Sequence, residues 1–118
     1  MAKIACRTAV MSGLVAAACL MVSARWVNAQ NAQSAANNVA TGRELAERLC
    51  SECHVVVPSG KGGWTDAPAF DAIANRQGTT AAELSGFIQQ PHMQMVHTAR
   101  PPREADLISA YIMSLRTN

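Results

Sequence analysis

Aromatic side chains are scarce in this chain of 118 residues, which holds two Phe, two Trp and one Tyr. A core built from so few large rings is thin, and a domain this short is marginal in any case. No strand-like alternation of any length is present, and no internal repeat, so sheet folds and repeat arrays drop out. Excess charge of either sign is also missing. Ten Lys and Arg stand against eight Asp and Glu, for a formal net charge of +2. That balance gives no argument for nucleic acid or an anionic membrane as partner.

Even this slight basicity belongs to the first segment. Lys3 and Arg7 form a short positive region, and residues 8–24 are apolar and small with no charge. The run is short for a span of about 20 residues but suits a secretory core. Val27-Asn28-Ala29 offers small residues before a cut, so cleavage is expected after Ala29, although Arg25 and Trp26 are atypical so close to it. Residues 1–29 therefore read as a signal peptide, with an uncleaved anchor as the alternative. A lipoprotein reading at Cys19 is weaker, because Ala16 stands where a larger aliphatic is usual. Removal takes Lys3, Arg7 and Arg25, so seven basic residues face eight acidic ones and the net charge becomes −1. Cys6 and Cys19 leave as well. Only Cys50 and Cys53 remain, three residues apart, and no structural disulfide is expected.

Those two belong to Cys50-Ser-Glu-Cys53-His54, the C-x-x-C-H attachment signature of a c-type haem. Two thiols on one turn can each form a thioether to one of the two vinyl groups of a single haem. His54 then falls under the ring, where an imidazole nitrogen can take an axial position on the iron. A bare C-x-x-C is shared with zinc and redox sites; the following His in an exported chain is what makes the pattern specific. A buried porphyrin would also supply the apolar mass that the chain lacks.

Residues 30–40 are rich in Asn, Gln, Ala and Ser without periodicity and read as a flexible leader. The domain is then 41–118. A helix is expected over 41–53: Thr41 and Glu44 form a capping box, and Leu45, Ala46, Leu49 and Cys53 share one face. Residues 55–64 form a loop broken by Pro58, Gly60, Gly62 and Gly63. A short helix follows over 70–74. Another starts at Thr79 or Thr80, with Thr80 and Glu83 as capping box and Leu84, Phe87 and Ile88 as apolar stripe, and ends before Pro91. Pro101-Pro102 leads into the last helix, whose buried stripe is Ala105, Ile108, Tyr111, Ile112 and Leu115. The class is all-α, three to five short helices with long loops. Loops of that length suit a chain that wraps a prosthetic group.

The far side of the iron decides the chemistry. His92, Met93, Met95 and His97 cluster in the irregular stretch 91–100. A Met thioether raises the potential and closes the site to all but electrons, a second His lowers the potential, and an open site admits small gases or peroxide. Spacing alone does not choose between Met93 and Met95, since residues i and i+2 of an extended segment point the same way. His92 and His97 read as polar loop residues. Cys50, Cys53, His92 and His97 are formally a zinc set, but the two halves lie outside finger spacing and His54 would have no role. Lys61, Arg100 and Arg103 read as solvated cations, with steering of an acidic partner as the alternative. Trp64 reads equally as a crevice wall or a surface plug.

From Gly42 to Leu115 the chain resembles a class I monohaem cytochrome c of the small bacterial periplasmic type. The resemblance rests on Gly42 with seven residues between it and the C-x-x-C-H motif, on Ala67-Pro68-Ala69-Phe70, on Pro91-His92-Met93-Gln94-Met95, and on residues 110–115. It implies a cytochrome c-like fold around one haem c attached through Cys50 and Cys53. It implies His54 and Met95 as iron ligands, with Met93 as the alternative. Pro68 would accept a hydrogen bond from the second nitrogen of His54, and Phe70 would pack on the haem. Gly42 would let the first helix cross the last near Tyr111. Two positions depart from the pattern: Val96 replaces the Pro usual after the distal Met, and Ala46 stands where relatives often carry an aromatic. The implied function is one-electron transfer in the periplasm by a monomer that docks transiently on a dehydrogenase, an oxidase or another cytochrome, rather than enzymatic turnover. A haem subunit, sensor or peroxidase-like protein with an open distal site is the alternative.

Overall fold

Among the described residues there are four helices and no strand. The computed structural model describes residues 5–58, 67–91 and 99–117, with side chains described from residue 25 onward. The chain divides into two compact units, Met1–Ala35 and Ala36–Asn118. The described residues of the first are helical, and its Trp26 and Val27 are exposed. Among the described residues no helix is long and apolar enough to cross a membrane.

Helix α1 spans Ala5–Leu49. This corrects two expectations. Thr41 does not begin a helix but lies inside one, and residues 30–40 are helical rather than an irregular leader. The reason is composition. No Pro precedes residue 58, and four Ala and two Gln in residues 30–40 favour helix enough to offset three Asn. Almost all of its side chains are exposed, so no buried face imposes a period on it.

The second unit holds the core. Leu45 and Ala46 of α1 are buried, and Gly42 lies against α4 (Pro102–Ser114). A Cβ at Gly42 would collide with the Leu107 carbonyl oxygen and sit 3.1 Å from Cβ of Tyr111. Glycine is thus what lets the two backbones meet. Pro102 opens α4 at a position where a missing N–H costs nothing. Ala105, Ile108, Tyr111 and Ile112 are buried as the helical period predicts, and Leu115 is half-buried.

Two short helices pack on α4. Helix α2 spans Phe70–Asn75 and buries Phe70 and Ala74. Helix α3 spans Ala81–Ile88, and the Thr80 hydroxyl accepts from the Glu83 N–H at 3.2 Å, the cap expected there. The α3 stripe differs from expectation. Phe87 is 57% exposed, and the buried residue is Ser85, whose hydroxyl donates to Asp106 at 2.6 Å. The core cluster joins Leu45, Ala46, Val56, Phe70, Ala74, Ile108, Tyr111 and Ile112.

Candidate haem-attachment site

After Leu49 the chain keeps turning. Cys50 N–H donates to Ala46 at 2.9 Å, and the N–H groups of Cys53 and His54 both return to the Cys50 carbonyl, at 3.1 and 2.9 Å. The turn brings Cys50, Cys53 and His54 onto one short segment, each of them half-buried. Burial pushes the Cys50 thiol up to about 11, against the pull of nearby Arg100. At neutral pH such a thiol is almost wholly protonated.

The segment leaving the turn is held on the one entering α2. His54 Nδ1 lies 2.8 Å from the Pro68 carbonyl oxygen, and Phe70 N–H donates to the Val55 carbonyl at 3.0 Å. With the proton on Nδ1, Nε2 carries the lone pair that a metal needs. The Phe70 ring stands 5.3 Å from the imidazole, tilted by 53°, and 6.4 Å from the ring of Tyr111. Tyr111 in turn donates its hydroxyl to the Val56 carbonyl at 2.7 Å. Burial raises its phenol above the ordinary value of 10.0, so it remains a donor throughout the neutral range.

Cys50 and His54 face a cavity of about 270 Å³. Its walls come from every helix of this unit: Leu49 from α1, Phe70 and Ile73 from α2, Leu84, Phe87 and Ile88 from α3, Ile108 and Ile112 from α4. Two cations, Arg48 and Arg100, complete the lining. The Arg100 N–H donates to the Ile88 carbonyl at 3.2 Å, and its guanidinium lies 3.9 Å from the Glu104 carboxylate. Arg100 is therefore on the cavity wall rather than a plainly solvated cation, whereas Arg103 is exposed. Arg48 carried no sequence signal, being one charge among several on an exposed helix face. The donor set fits a haem: a thiol and an imidazole on one wall, aliphatic and aromatic walls for the ring, and two cations suited to its carboxylates. Among the described residues no group of three or more His, Cys, Asp or Glu is placed to hold a bare metal ion. Met93, Met95, His92, Val96, His97, Lys61 and Trp64 lie outside the described residues.

A helical domain whose C-x-x-C-H turn opens on an apolar cavity has the makings of a haem protein, and a relative names the class. Cytochrome c-552 of Bradyrhizobium diazoefficiens is 33% identical over 98 residues, covering 83% of this chain and 91% of that protein. No family model and no solved structure matches the chain. The chain belongs to the c-type cytochromes. Its fold is all-α and cytochrome c-like, its haem c is covalently attached through Cys50 and Cys53, and its work is electron transfer with redox partners.

Proposed function

We propose that this is a small class I monohaem cytochrome of the periplasm, with His54 and Met95 as axial ligands, exported by residues 1–29 and shuttling single electrons between periplasmic redox proteins. The observation that supports it best is the 2.8 Å contact of His54 Nδ1 with the Pro68 carbonyl, beside Cys50 on the cavity wall. That contact holds the imidazole in one tautomer and makes Nε2 a stronger donor. Bound haem supplies the one-electron Fe(III)/Fe(II) couple. The protein's part is to hold its ligands still and keep water off the ring. Ile73, Leu84, Ile88, Ile108 and Ile112 exclude water, which raises the potential by disfavouring the more charged ferric state. Phe70 would pack on the ring, and Arg48 and Arg100, also on the cavity wall, would balance its carboxylates. Residues 30–40 link the processed N-terminus at Gln30 to the domain.

The test is the oxidised visible spectrum together with CO binding to the reduced protein. We expect a Met-to-Fe(III) charge-transfer band and slow CO uptake. Met95→Ala should lose the band and bind CO at once, while Met93→Ala keeps the band. The reverse pattern would make Met93 the ligand. A wild-type protein without the band and with rapid CO uptake would be a sensor or peroxidase-like protein instead.

A further inference from the structure

Three consecutive residues at the end of the attachment turn are each tied by a different group. His54 is held by the Pro68 carbonyl at 2.8 Å, Val55 by the Phe70 N–H at 3.0 Å, and Val56 by the Tyr111 hydroxyl at 2.7 Å. The first two ties come from one short stretch of chain and could act only as a hinge. The third comes from α4, 55 residues away in sequence. A segment fixed on two separate elements can no longer swing.

Tyr111 itself does not line the cavity. Its ring lies 6.4 Å from that of Phe70, which in turn lies 5.3 Å from the His54 imidazole. Core filling does not explain its oxygen, because a Phe would occupy nearly the same volume. Tyr111 and Val56 are 4% and 5% exposed, so the hydroxyl and the carbonyl both depend on this bond for a partner away from water.

We propose that the Tyr111 hydroxyl is a positioning group for the axial histidine: by holding the Val56 carbonyl on α4 it fixes the direction in which His54 presents Nε2 to the iron. A side chain outside the cavity lining thereby tunes the iron. This inference rests on the reading of His54 as an iron ligand.

The experiment uses the holo-protein. Covalent haem is confirmed first by pyridine haemochrome, and the paramagnetically shifted ring protons of an iron-bound imidazole are located in the oxidised wild type. Tyr111→Phe removes the hydroxyl alone. Thr80→Ala, which removes the α3 cap at a residue outside the cavity lining, is the control for simple loss of stability. We expect both variants to lose thermal midpoint. Only Tyr111→Phe should displace the His54 resonances and shift the reduction potential. The chain has one tyrosine, so 3-fluorotyrosine incorporation labels this position alone and sharpens the phenol as a donor without disturbing the fold. It should displace the same resonances in the opposite direction, and it decides the matter if Tyr111→Phe fails to mature. Resonances and potential at wild-type values in these proteins, with only the midpoint lowered, would leave Tyr111 a packing residue and overturn the proposal. If the wild type shows no iron-bound imidazole, the His54 reading itself falls and takes this inference with it.

Discussion

Gly42 sets how closely α1 approaches α4. Its missing Cβ leaves room for the Leu107 carbonyl, and a backbone oxygen cannot move aside as the end of a flexible side chain can. Two effects compete in Gly42→Ala. Ala gains about 1 kcal/mol of helix propensity, while the collision costs about 1–3 kcal/mol or somewhat more. We expect the collision to win, with a net loss of about 1–2 kcal/mol in chemical denaturation of the holo-protein. A variant as stable as wild type would mean that the helices re-seat freely. Gly42 was legible in the sequence as either a plain helix-start glycine or the close approach of another helix, and the resemblance favoured the second. Ser85 and Ser109 were not legible at all. Both are buried, yet a serine on a short helix reads as its wet face. Ser85 is explained by its bonds to Asp106 and Gln89. For the Ser109 hydroxyl, which has no partner among the described residues, the structure offers no explanation. Tyr111 was legible as a core residue by its spacing. Its bond to Val56 was not, because nothing local links positions 55 residues apart.

Elements were read well where burial imposes a period and poorly where it does not. The stripe of α4 and the short α2 were both visible, since each packs one face on the core. The continuation of α1 through residues 30–40 was not, since a helix exposed on nearly all sides carries only propensity as its signal. Helix α3 lies between these cases. Its start was fixed by Thr80, but its stripe was overcounted, because Phe87 faces the cavity mouth at 57% exposure rather than the core. An eight-residue helix is too short to persist on its own, so its cap matters more than in a long one. Thr80→Ala should cost about 1 kcal/mol, read as a lower thermal midpoint with an unchanged visible spectrum. A change in the spectrum would show that α3 sets the haem environment as well as the fold. The far end of α2 depends on a contact that no periodicity announces. Arg116 donates through Nε to the Ala74 carbonyl at 2.8 Å and through Nη2 to the Thr79 carbonyl at 2.6 Å, while Thr117 holds Asn75 Oδ1 at 3.0 Å. The last residues of the chain thus fasten the helix that carries Phe70 to the cavity.

At the scale of the whole molecule, the scarcity of aromatics and the cavity are one fact. The core cluster is small, and the helices that share it also border an open space. A dry void of about 270 Å³ at roughly 24 cal/mol per Å³ amounts to about 6 kcal/mol. The cavity is open on one side, so water relieves part of this and the figure is an upper bound. It is nevertheless comparable with the entire net stability of a small domain, about 5–15 kcal/mol. The prosthetic group is therefore part of the core as much as it is the redox centre. Cys50→Ala/Cys53→Ala, which abolishes the thioethers, should lose the cooperative thermal transition or have it far below that of the holo-protein. Free haem added to that variant should recover part of it, because filling the space rather than making the covalent bond supplies most of the stability. A cooperative transition close to that of the holo-protein, without haem, would mean that the helices close the cavity on their own. Recovery only with the thioethers intact would instead place the stabilisation in the constraint on the unfolded chain, as for any cross-link.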